Sequence, residues 1–207
     1  MNKEIDKKFD FYEYLTNEIL CRFEKTIEMD EIEREKLYLG IMTLLINGIK
    51  SIIILGLASL VGVLDEVIFM ILVFFALRLW AAGLHAKSSF KCTVICISAY
   101  IIGAYMSINY PVNIYHCFGI CNILIILIYR YSPADTENRP ILGRKKREIL
   151  KRRAVITALL ILIINIILFN EKIINLTMYA MLMQTICILP HVYKIFNRRY
   201  NNYEMYE

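Results

Sequence analysis

Histidine is scarce, with three in 207 residues. A metal centre would therefore have to lean on thiols, and the best grouping, His116–Cys117 with Cys121, has no convincing fourth ligand. No metal and no organic cofactor are expected. Internal repeats and low-complexity linkers are also missing, as one domain would read. The first 36 residues are far too charged for a cleaved signal peptide, which wants a basic start and then an apolar run. The six cysteines do not form a secreted disulfide pattern. Cys92, Cys96, Cys117, Cys121 and Cys187 lie in or beside apolar runs and read first as small buried hydrophobes.

What is abundant is apolar sequence. The chain is 58% hydrophobic, and the excess falls in runs such as Ile52–Leu64, Val67–Leu77, Ile123–Ile128 and Ala154–Phe169. This patterning marks an integral membrane protein. Six segments, at roughly 41–64, 67–83, 93–109, 114–129, 154–169 and 173–190, predict an all-α, polytopic protein with about six transmembrane helices. Gly40, Gly48, Gly56, Gly62, Gly103 and Gly119 would allow these helices to approach closely.

Ahead of them, Ile5, Phe9, Tyr12, Thr16, Ile19, Phe23 and Ile27 recur at helical spacing among charges. The spacing predicts an amphipathic helix over 5–27, lying on the membrane surface or on the protein's own cytoplasmic face. Asp30 with Glu33 predicts a capping box that opens a new helix. The expected organisation is an interfacial segment over 1–36, a membrane domain over 37–193 and a cytoplasmic tail over 194–207.

Charge sets the expected orientation. Residues 1–40 carry eleven acids against seven bases, and residues 130–153 carry nine bases against three acids. A basic patch can bind nucleic acid, but membrane topology explains this one more simply, and no nucleic-acid partner is expected. The loops at 84–92, 130–153 and the tail hold most of the loop lysines and arginines. Those at Asp65–Glu66, Asn109–Asn113 and Asn170–Lys172 hold only Lys172. Both termini are thus expected in the cytoplasm, with the bases of 144–153 touching anionic lipid. Lys50 falls inside the first apolar segment. It either snorkels, or marks the start of a shorter span at Ser51, or faces a polar cavity as a functional cation.

One polar break carries chemistry: Arg78, Gly83, His85, Lys87, Lys91 and Cys92 stand close together in sequence. Imidazole and nearby cations favour the thiolate, which is the nucleophilic form of cysteine. On one straight helix, His85 and Cys92 would sit about 10.5 Å apart along the axis, too far for base and nucleophile to touch. The chain must therefore fold back between them if they work together. Cys96 lies one turn beyond Cys92 and reads as packing. His191 after Pro190 reads as the end or kink of the last segment.

Arg78, Gly83, His85–Ala86 and Cys92 resemble the Arg…Gly-Gly-x-His-Ala…Cys signature of the accessory gene regulator B (AgrB) family, with Ala82 in place of the first glycine. Tyr131–Ser132–Pro133–Ala134–Asp135–Thr136 with Pro140–Ile141, and the pair Asn47 and Lys50, resemble further family features. The resemblance implies a membrane cysteine endopeptidase of the bacterial plasma membrane, with its active site at or near the cytoplasmic face. Such an enzyme trims an AgrD-like propeptide for cyclisation to a thiolactone or lactone signal. It further implies Cys92 as nucleophile, His85 as general base, and a homodimer. Lys50, Arg78 and Gly83 become candidates for substrate binding or for structure, with Arg78 expected chiefly to anchor a helix end at the interface. The alternative is a small polytopic transporter or peptide exporter in which His85 and Cys92 are incidental.

Overall fold

Asp30 and Glu33 form the capping box that their spacing predicts. The Glu33 amide donates to Asp30 Oδ1 at 2.6 Å, and the Asp30 amide donates to Glu33 Oε2 at 3.3 Å. From this start α2 runs unbroken over Glu31–Val61. That is about 46 Å at 1.5 Å per residue, longer than a hydrocarbon core of about 30 Å. Lys50 is half-buried partway along its apolar stretch. The helix passes through Ser51 without a break.

The structure, a computed structural model, describes residues 11–25, 27, 29–84, 89–137 and 140–207, with only the backbone for Phe11 and for 89–92. Ile5, Phe9, His85 and Lys87 lie outside the described residues, as do the side chains of Lys91 and Cys92. The chain divides into two compact units, residues 1–54 and 55–207. In the first, α1 covers Phe11–Glu24. The expected apolar stripe holds at Tyr12, Thr16 and Ile19, but Phe23 and Ile27 are exposed. An Arg34–Glu24 ion pair at 2.6 Å ties the start of α2 to the end of α1.

The second unit is a bundle of α3 (Leu64–Ala81), α4 (Ser89–Asn109), α5 (Ile114–Tyr131), α6 (Arg144–Leu168) and α7 (Glu171–Ile188), closed by the short α8 (Pro190–Ile195). All five apolar segments expected in this region become helices. Pro190 stands at the first position of α8, where its missing N–H costs nothing, so His191 does report a helix break. Helix α7 lies at the centre, against α3, α4 and α5. Its buried set includes Asn175, Thr177, Gln184 and Thr185, polar residues that an interior position can satisfy. The outer faces of the bundle are greasy: Leu72, Phe75, Ile102, Ile126 and Ile167 are all exposed, as lipid-facing residues are. Of the glycines that would allow close approach, Gly103 does so: a Cβ there would lie 2.7 Å from Met70 Cε.

The connections gather at two ends. At one end Lys172 pairs with Glu66 at 2.6 Å, and Asn175 exchanges hydrogen bonds with the backbone of Val112 at 2.8 and 2.9 Å. At the other end the turn after α3, the loop after α5 and the segment after α7 meet. There the Ala134 amide donates to Ala81 O at 3.0 Å, and Tyr193 Oη donates to Asp135 O at 2.8 Å. The acid-flanked loops and the base-rich loops are thereby sorted to opposite ends of the second unit.

Candidate functional site

Helix α3 stops at Ala81 and α4 starts at Ser89, so Arg78 and Cys92 do not share one helix. The break is a tightly held backbone turn. Ala82 has φ 53° and Gly83 φ 122°, both in the left-handed half of conformational space. Arg78 reaches forward and donates through Nη2 to the carbonyls of Gly83 at 2.9 Å and Leu84 at 2.8 Å. It therefore ties down the turn that follows its own helix. The Leu84 amide donates to Cys187 O at 2.8 Å, and Gln184 Nε2 donates to Ala82 O at 2.8 Å. With the Ala134 bond, three parts of the chain grip four consecutive residues.

Gly83 is required on two counts. Its φ suits a residue without Cβ, and a Cβ would fall 2.6 Å from Arg78 Nη1 and 2.8 Å from Cys187 O. Ala82 accepts the strain that a glycine would avoid. We expect Ala82→Gly to stabilise the protein by about 1 kcal/mol, the low end of the cost of such a conformation. A thermal melt in detergent measures it, and a lower midpoint would contradict the strained geometry.

Cys92 lies in the first turn of α4. Further along this helix Val94, Ile95, Ala99 and Ile102, with Tyr179 of α7, line an open apolar groove of about 430 Å³. Cys96 and Cys187 are half-buried thiols. His116 is exposed while Cys117 and Cys121 are fully buried, so this trio does not converge on one point. Among the described residues no three metal-ligating side chains cluster.

The segment after α5 is organised by Asp135, buried to 3% exposure. Its carboxylate accepts from the amides of Asn202 at 2.8 Å, Tyr203 at 2.9 Å and Ile141 at 3.4 Å. The tail is thus laid over the basic loop. Tyr200 Oη donates to Tyr131 O at 3.0 Å, and burial pushes this phenol up to about 12, so it stays a donor at neutral pH. Arg147 clasps Glu207 through both guanidinium nitrogens at 2.7 and 2.8 Å, and lies 3.8 Å over the Tyr203 ring.

The Arg147 pair and the Gly143 amide hold the Glu207 carboxyl down to about 2. A depressed carboxylate contributes its contact above the ordinary value near ~4.3 and loses it as pH falls through the folded value. Hydrogen exchange over 200–207, corrected for intrinsic rate, should show more protection in the wild type than in Glu207→Gln at neutral pH. The difference should close between about pH 4.5 and pH 2. A constant difference would contradict the clasp.

Sequence reading names Asp135 only as a member of the family-like segment 131–136, and it passes over Gln184. For Gln184 a signal existed, since an amide within an apolar segment calls for a buried partner.

Fold and turn together define an all-helical protein. Among its described residues two helices, α2 and α5, are long and apolar enough to cross a membrane. The chain belongs to the accessory gene regulator B family, which matches residues 11–188. It is 36% identical to an AgrB-like protein of Clostridium acetobutylicum over 200 residues, covering 97% of this chain and 96% of that one. An AgrB-like protein of Listeria monocytogenes is 33% identical over 178 residues, covering 86% and 87%. The accessory gene regulator protein B of Staphylococcus intermedius is 28% identical over 165 residues, covering 78% and 85%. No solved structure is significantly similar. Family membership gives the chain an accessory gene regulator role in quorum sensing, in a family associated with membranes.

Proposed function

We propose that this chain is a membrane cysteine endopeptidase that removes the C-terminal tail of an AgrD-like propeptide. His85 takes the Cys92 proton, and the thiolate adds to the scissile carbonyl. The carbon–nitrogen bond then breaks, the departing amine takes the proton back from the imidazolium, and an acyl-thioester remains on Cys92. An internal thiol or hydroxyl of the peptide displaces the thiolate and closes a thiolactone or lactone ring. The thioester conserves the energy of the cleaved amide, and exclusion of water favours ring closure over hydrolysis.

The observation that carries the reading is the pinned break between α3 and α4. It fixes the backbone of Ala82, Gly83 and Leu84 at the point where the chain leaves for residue 85. It also leaves Cys92 in a first helical turn, where unpaired backbone N–H groups favour an anion. Around it we infer about six spans with both termini in the cytoplasm. The sorting of basic and acidic loops to opposite ends supports this arrangement. The exposed apolar faces of α3 to α6 would meet lipid, and a homodimer would use part of the same surface. Lys50, on the continuous α2, would then snorkel or face a polar cavity.

The test is direct. The full-length protein, reconstituted with its propeptide and quenched in acid, should yield a species carrying the N-terminal part of the peptide as a thioester on Cys92. Trimmed peptide produced with no such adduct under rapid quench would count against the covalent route.

A further inference from the structure

Gln184 differs from its polar neighbours in α7. Asn175 is matched by the backbone of Val112, Thr177 by Asn165, and Thr185 by the carbonyl of Met181 in its own helix. Gln184 is wholly buried, yet it makes one bond across 102 positions of sequence, from Nε2 to Ala82 O at 2.8 Å, and its Oε1 has no partner among the described residues. An amide buried in an apolar bundle is costly unless it is used. This one is used at a particular point. Ala82 O belongs to the peptide that joins the two left-handed residues, and His85 follows three positions later in sequence.

Arg78 and Cys187 hold the Gly83 and Leu84 end of the turn. Gln184 holds the Ala82 end, by a bond that only a side-chain donor at its depth in α7 can make. We propose that Gln184 is a positioning residue for the cysteine chemistry proposed above: its N–H fixes the Ala82 carbonyl, and with it the direction in which the chain leaves for His85. The inference rests on that reading of the site. It does not give Gln184 contact with the reacting atoms. Reaction rates depend steeply on the placement of a base relative to its nucleophile, so a lost tie here lowers turnover more than substrate binding.

Three full-length variants in proteoliposomes test this. Gln184→Met keeps length and loses the donor. Gln184→Glu keeps shape and polarity but has no N–H when ionised. Thr185→Val is equally buried on the same helix and does not touch the turn. Two readouts are needed: propeptide kinetics, and the pH dependence of iodoacetamide alkylation at Cys92, followed by mass analysis. For Gln184→Met and Gln184→Glu we expect kcat to fall roughly tenfold or more, KM to stay within about twofold, and the alkylation profile of Cys92 to move to higher pH. Thr185→Val should keep both wild-type profiles.

If Gln184→Met alkylates and processes like wild type, the positioning role is wrong. It is equally wrong if the variant loses activity only in step with a lowered melting temperature, as a plain packing defect would. A wild-type Cys92 that alkylates no faster than Cys96, together with a Cys92→Ala variant that still trims peptide, would instead sink the peptidase reading, and this inference with it.

Discussion

We expect Cys92→Ala to abolish release of the propeptide tail while the variant accumulates in the membrane at the wild-type level. No other side chain in the mechanism can form the acyl intermediate, so the loss should be on the order of 10⁴-fold or more. His85→Ala should be nearly as damaging, because the thiol then keeps its proton at neutral pH and the leaving amine has no acid. In the proposed mechanism the two residues act as one unit, so the double variant should be little worse than either single one. Mass analysis of peptide from cells that co-express the propeptide reads all three. Processing within about tenfold of wild type in either single variant would end the proposal. A membrane transporter with an incidental His and Cys predicts that outcome, which makes this the sharpest comparison available.

Gly83→Ala carries the second large effect, and here both fold and activity should suffer. The new methyl would meet Arg78 Nη1 at 2.6 Å and the Cys187 carbonyl at 2.8 Å. Its backbone would also sit at φ 122°, which residues with a Cβ rarely adopt. The conformation alone costs about 1–3 kcal/mol, and moving Arg78 breaks its bonds to the Gly83 and Leu84 carbonyls as well. We expect a clearly lowered melting temperature and loss of propeptide trimming. A Gly83→Ala protein with wild-type stability and turnover would mean that the turn is not held as described. The adjacent Ala82→Gly change should move stability the other way, so the pair reports on one backbone feature with two opposite signs.

Sequence reading had located this turn for a different reason. Gly83 and the polar stretch after it interrupt two apolar runs, and a thiol seven residues beyond a histidine is idle on a straight helix. It reads Arg78 as an interfacial anchor or as a partner for a substrate carboxylate. That assignment came from the local pattern, because an arginine at the end of an apolar helix has the same sequence context whether it points to lipid headgroups or back onto its own chain. The same holds for the glycines. Gly103 meets Met70 closely, but composition shows only where close approach is permitted and not which faces meet.

Features with a local physical cause are legible in the sequence. The helical class and helices α3 to α7 follow from apolar runs of the right length. The start of α2 follows from Asp30 and Glu33 three positions apart, and the stop before α8 from the ring of Pro190. The family signature around Arg78 and Cys92 was legible for the same reason, because its members lie within one short stretch.

Tertiary structure alone decided what grips that stretch. Gln184 lies 102 positions from Ala82, and Asp135 lies 67 from Asn202. An amide in an apolar helix announces that it must be paired when buried, but periodicity carries no information about the partner. The partner is set by how α7 packs among α3, α4 and α5. The sequence thus marked the turn after α3, and the packing of α7 beneath it decided that the turn is held in one shape.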